Sequence, residues 1–117
     1  MLSIQDLQEY LAGHYSQHGQ EQGLFMKLVE EMGEVAEILN QRAGRKAKEQ
    51  IDLDKELATE LADMLHYIVA IAAINGLDLS QTVLEKDKQA ALKYNHEVDL
   101  EAFLERKERK NHARQQT

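Results

Sequence analysis

No proline occurs anywhere in the 117 residues, and that absence limits the fold more than any other feature. Proline ends helices, shapes turns and marks sheet edges, so a chain without it is free to run long helices. The other common breaker, glycine, occurs only six times. Most of what remains is Ala, Leu, Glu, Lys and Gln, which lose little side-chain freedom in a helix. Apolar residues recur three and four apart, and no segment alternates with a strand-like period. The expectation is an all-α, four-helix-bundle-like fold. Aromatic residues make up only 5% of the chain, and small helical domains bury little surface for their length. The core is therefore expected to be completed by oligomerisation.

The helices can be placed by their caps. Ser3 is suited to open a first helix carrying Ile4, Leu7 and Leu11. A second helix is expected from about Leu24 to Leu39, and a break from Asn40 to Gln50 around Gly44. Asp52 or Asp54 would cap a third helix that ends at Asn75 with Gly76 as its stop. Asp78 would cap a fourth, running to about Asn95. A charged segment from Asp99 carries a short apolar stripe (Leu100, Phe103, Leu104) before a polar tail. The expected division is a helical domain over residues 1–98 and a helical extension or tail over 99–117.

The net charge of −7 argues against a nucleic acid polymer as partner, since phosphate backbones require a basic face. It leaves room for a nucleotide, provided divalent cations lie between the two sets of negative charge. Cysteine is absent, which removes disulfides and thiolate metal sites and fits a cytoplasmic protein. No leader pattern is visible. The longest apolar run, Tyr67 to Ile74, is shorter than the ~20 residues of a membrane span, so no membrane partner is expected.

The informative residues are charges that stand where apolar side chains belong. On the second helix Leu24, Leu28, Met32, Val35 and Leu39 form the expected stripe, which Ile38 extends. Glu31 projects between Ile38 and Leu24, and Glu34 lies one step further out beside Lys27. On the third helix Leu57, Leu61, Met64, Leu65, Ile68 and Ala72 form the stripe. Glu60 and Asp63 share its flank. Residues three apart are neighbours on a helix, so each helix carries a carboxylate pair at its core margin. Such pairs repel one another unless a cation lies between them. Oxygen-only ligands suit hard cations, Mg²⁺ with Mn²⁺ as a substitute. Amphipathic helices rich in acid also produce spaced carboxylates without any metal, and spacing alone leaves both readings open.

The two motifs together resemble a known family. Lys27-Leu-Val-Glu-Glu-Met-Gly-Glu34-Val-Ala-Glu37 is similar to the first motif of MazG-like pyrophosphohydrolases. Glu60-Leu-Ala-Asp63-Met-Leu-His-Tyr67 is similar to the second, in the same order and 26 positions after Glu34. Asn75-Gly-Leu-Asp-Leu and Lys86 extend the likeness, which covers roughly Leu24 to Tyr94. The resemblance implies a helical bundle assembled as a dimer or tetramer. It implies hydrolysis of a nucleoside triphosphate to the monophosphate and pyrophosphate, as in nucleotide-pool house-cleaning. Glu31 and Glu34 match its first metal-binding pair, Glu60 and Asp63 its second, and Lys86 its phosphate-side lysine. Departures are Thr59, where relatives often carry an acid, and Ala90, where an asparagine is common. Lys93-Tyr94 keeps the family's basic–aromatic ending.

These observations nominate Glu31, Glu34, Glu60, Asp63 and Lys86 as catalytic residues, the four carboxylates being metal ligands. Lys86, Arg42, Tyr94 and Lys27 are nominated for substrate. His14 and His18 have a metal-compatible i, i+4 spacing, but a solvated helix end explains them as well. His66 lies near Asp63, without the paired Glu-x-x-His motifs of a di-iron site. Two other readings stay open: a catalytically silent metal-binding oligomer, and a pyrophosphohydrolase for a specialised nucleotide such as phosphoribosyl-ATP.

Overall fold

The computed structural model describes residues 1–44 and 47–116, which divide into two compact units, Met1–Leu77 and Asp78–Thr117. The first holds α1 (Ile4–Ala12), a 3₁₀ turn at His18–Gln20, α2 (Glu21–Gly44) and α3 (Ala47–Ile74). The second holds α4 (Leu79–Lys93) and α5 (Leu100–Gln116). No strand occurs among the described residues, and the all-α expectation is met.

Local chemistry sets the helix ends. Ser3 stays extended at the N-cap of α1, and its side chain accepts the Asp6 amide at 3.0 Å. α3 ends as expected at Gly76, which adopts φ +62°, a left-handed conformation that costs glycine little. The Leu77 amide reaches back to the Ala72 carbonyl and the Gly76 amide to that of Ala73, the paired bonds of a Schellman cap. Asp78 then caps α4 by accepting the Gln81 amide at 3.0 Å. Asp99 does the same for the Ala102 amide at the entrance to α5.

Three expectations need correction. α2 runs on to Gly44 and α3 already begins at Ala47, so residues 40–44 and 47–50, expected within a break, are helical. Arg45 and Lys46, which belonged to it, lie outside the described residues. With no proline to stop either helix, the good helix formers at the end of α2 and the start of α3 extend both. Asp52 and Asp54 consequently lie inside α3 rather than at its cap, and Asp54 pairs with Arg42 at 3.1 Å. Beyond Asp99, α5 continues to Gln116 where the apolar stripe had suggested only a short segment.

The third correction concerns the core. α2 packs along α3, and α1 packs on α3. The buried side chains of this unit are Leu11, Leu24, Ile38, Leu53, Val69, Ala70, Ala72 and Ile74. Met32 and Leu39, expected at the centre of the stripe on α2, are exposed at 52% and 48%. Leu61, Leu65 and Ile68 on α3 are likewise exposed. At ~100° per residue, the buried positions of α2, Leu24 and Ile38, centre about 60° from the predicted stripe, which places Glu31 squarely between them. On α3, against which both α1 and α2 pack, the buried positions spread round the helix, and Glu60 shares a side with Leu53, Leu57 and Ile71.

One stretch within Asp52–Ile74 has a mean hydropathy of 1.5, enough by length and composition to cross a bilayer. The run counted in the sequence was shorter because Glu60 and Asp63 interrupt it. In the fold this stretch lies against α1 and α2.

Candidate active site and its carboxylate cluster

The packing of α2 along α3 brings carboxylates from both helices to one place. Glu31, Glu60 and Asp63 each offer an oxygen, and these oxygens lie within 4.8 Å of one another. Glu31 and Glu60 are half-buried. One oxygen of each, Oε2, is shielded from solvent and has no hydrogen-bond partner. Buried carboxylates are ordinarily paired or neutralised, because withdrawing the charge from water costs several kcal/mol after relaxation. Two orphaned oxygens converging with a third carboxylate form an all-oxygen donor set. That set fits a hard divalent cation such as Mg²⁺.

Glu34, the fourth expected ligand, lies one turn along α2 and is exposed. It lines an open groove of about 410 Å³ with Glu37, Ile38, Gln41, Glu56 and Glu60. A second groove of about 460 Å³ is lined by Asp52, Lys55, Glu56, Thr59 and Glu60. Glu56 and Glu60 border both, so the carboxylate cluster opens at Glu60 into a broad acidic surface. Sequence reading had not singled out Gln41 or Glu56 for the site. The available signal was their register: Gln41 lies seven residues after Glu34, and Glu56 four before Glu60, each on the same helix face.

The expected substrate residues are distributed differently. The Lys27 ammonium lies 3.5 Å from Glu30 on the exposed side of α2. Arg42 pins the end of α2 to α3 through Asp54. Lys86 and Tyr94 belong to the second unit and are exposed there. Tyr94 stacks on His96 with ring centroids 6.2 Å apart, and the Lys93 ammonium sits 5.5 Å from the tyrosine ring centre. His14 joins Tyr10 through the Tyr10 carbonyl at 3.1 Å, which accounts for it without a metal. His66 is engaged by the Tyr15 hydroxyl at 3.1 Å through Nε2 and meets Tyr67 edge-on. One turn beyond Asp63, α3 therefore carries an aromatic group that also ties the segment after α1 to it.

Comparison with known proteins places this arrangement. Residues 20–91 match the MazG nucleotide pyrophosphohydrolase domain. The crystal structure of iMazG from Vibrio DAT 722 superposes with a TM-score of 0.62 at 31% identity, covering 81% of this chain and all of that one. Among curated proteins, dCTP pyrophosphatase 1 of Mus musculus is 37% identical over 75 residues, 62% of this chain and 44% of that protein. The uncharacterized protein YpjD of Bacillus subtilis (strain 168) is 39% identical over 57 residues, 49% of this chain and 50% of that one. The chain thus spans about half the length of the curated relatives it matches. The matched region takes in both acidic motifs and more than half of the residues, and the chain belongs to the MazG nucleotide pyrophosphohydrolase domain family.

Proposed function

We propose that this chain is a Mg²⁺-dependent nucleoside triphosphate pyrophosphohydrolase, converting a (d)NTP and water to the monophosphate and pyrophosphate. The observation that carries the reading is the pair of buried, partnerless oxygens of Glu31 and Glu60 converging with Asp63. Family membership and the likeness to a dCTP pyrophosphatase support the reaction class. A house-cleaning role against canonical or damaged nucleotides follows from the same reading.

Glu31, Glu60 and Asp63 would hold the ion, with Glu34 beside them on the groove wall. A divalent cation held there would supply neutralising charge for triphosphate oxygens and would acidify a water. The half-buried setting of Glu31 and Glu60 strengthens such charge interactions by shielding one oxygen of each from bulk water. The groove at Glu60 admits the polyphosphate, and its carboxylates repel a triphosphate that arrives without a cation. Lys86 meets the phosphates, and Lys27, Arg42 and Tyr94 complete the substrate set. Arg42 does so by exchanging Asp54 for a phosphate oxygen.

The active form is a homo-oligomer. Phe25, Val29, Met32 and Leu39 on α2, with Leu61, Leu65 and Ile68 on α3, are 40–53% exposed. Within each helix they repeat three and four apart, the spacing of a helix–helix seam. Apolar stripes of this extent mark an interaction face.

The test is pyrophosphate release from a panel of canonical and modified nucleoside triphosphates, with Mg²⁺ and with EDTA. Release that requires Mg²⁺ is the expected outcome. Silence of folded, metal-loaded protein across the panel would reject the reading in favour of a metal-binding scaffold.

A further inference from the structure

α5 lies beyond the matched domain, which ends at residue 91. Every side chain from 103 to 115 is exposed. Its charges are sorted by face. At ~100° per residue, Glu101, Glu105 and Glu108 fall within an arc of about 60°. Arg106, Lys107, Arg109, Lys110 and Arg114 occupy the opposite arc of about 160°. The apolar stripe that begins at Leu100, Phe103 and Leu104 is continued by Lys107, Lys110 and Arg114. Lysine at those positions prevents α5 from extending a seam against another α5. The single apolar turn is too short to seat a helix in a membrane surface. The acidity of the remainder of the chain opposes a nucleic acid strand.

An acidic protein surface is what this face fits, and the chain supplies one. On α2, Glu30, Glu34 and Glu37 share a face within about 60° and are exposed. Their separations of four and three residues match Arg114, Lys110 and Lys107 read backwards. Laid antiparallel, the two helices pair Glu30 with Arg114, Glu34 with Lys110 and Glu37 with Lys107. We infer that α5 of one copy docks antiparallel on the Glu30–Glu34–Glu37 stripe of α2 in a second copy. Lys27, now 3.5 Å from Glu30, exchanges that exposed pair for the intermolecular one. Glu34 and Glu37 also line the groove at Glu60, so the docked helix gives that groove a cationic rim from the neighbouring copy.

The inference rests on the assembly proposed above. Exposed ion pairs are individually weak, and three of them act only where an existing contact raises the local concentration of one copy near another. Carbodiimide coupling joins carboxylates directly to lysines they touch and needs no substitution. Applied to co-assembled heavy-isotope and normal chains, it is expected to yield Glu37–Lys107 and Glu34–Lys110 peptides joining a heavy to a light chain. Lys107→Glu is expected to cut the Glu34–Lys110 product roughly fivefold, the factor for one lost pair. Glu37→Lys in the same chain should restore it. Sedimentation of the same samples separates the possible failures. Oligomers without these links, or with links confined to single chains, overturn the docking and leave the apolar assembly standing. Monomers overturn both.

Discussion

Glu31 and Glu60 occupy positions where their neighbours on α2 and α3 are Leu24, Ile38, Leu53 and Leu57, and each leaves one buried oxygen without a donor. In metal-free protein these groups oppose folding, because each has an oxygen withdrawn from water that gains no hydrogen bond in return. Glu31→Gln and Glu60→Gln keep the shape and remove the charge. Each is therefore expected to stabilise the metal-free protein by ~1–3 kcal/mol, raising Tm in EDTA by several degrees. The same substitutions should erase the gain in Tm that Mg²⁺ gives the unsubstituted chain. That gain is about 2.7 kcal/mol when the ion is at a hundred times its Kd. Thermal unfolding in EDTA and in Mg²⁺ checks both signs at once. Glu31→Ala and Asp63→Ala should abolish hydrolysis while helicity, read by circular dichroism, is retained. A loss of stability in EDTA for the glutamine variants would mean that the carboxylates make structural bonds and do not form a cation site.

Elements divide into those legible in the sequence and those fixed by packing. The caps at Ser3, Gly76 and Asp78 follow from side chains acting within one turn, and each stands where local chemistry placed it. Gly76→Ala should cost roughly 1–2 kcal/mol, the penalty for a Cβ in the left-handed region, measurable by urea unfolding. Glu31, Glu60 and Asp63, the carboxylates that converge, stood out because a charge in an apolar stripe is conspicuous and because the paired motifs recur in a family; that Glu34 lies outside their cluster was not legible. The tilt of the stripes was not legible. A helix wheel shows that apolar residues share a face, but it cannot distinguish a side chain facing its own core from one facing a neighbouring subunit. Met32, Leu39, Leu61, Leu65 and Ile68 were read as core centre and are exposed. Their apolar surface is large enough that the wheel gave it the weight of the interior. Leu65→Asp or Met32→Asp should consequently lower the oligomeric state without lowering helicity, and sedimentation at several concentrations would show it. A buried-core role instead predicts unfolding of the kind large core substitutions cause. The length of α5 was also hidden, since a helix with three apolar residues at its start offers little periodicity to follow.

At the scale of the whole molecule, the residues proposed for metal and the lysine proposed for phosphate belong to different units of the chain. The carboxylates Glu31, Glu60 and Asp63 belong to the unit Met1–Leu77, whereas Lys86 belongs to Asp78–Thr117. An ammonium that acts on phosphates but not on the ion should affect catalysis without affecting ion-induced stability. Lys86→Ala is therefore expected to lower kcat/KM by roughly 10²-fold, the scale of losing one preorganised charge at a developing anion. The Mg²⁺-dependent rise in Tm should remain within experimental error of the unsubstituted chain. The Glu31 and Asp63 variants should lose both. Measuring pyrophosphate release and thermal unfolding on one set of samples separates these patterns. If Lys86→Ala abolished the metal-induced stabilisation as well, the lysine would be acting on the cluster itself, and the assignment of phosphate binding to α4 would have to be abandoned. If it left both turnover and stabilisation unchanged, the phosphates would have to be met by cations elsewhere, with Arg42 the first to test through Arg42→Ala.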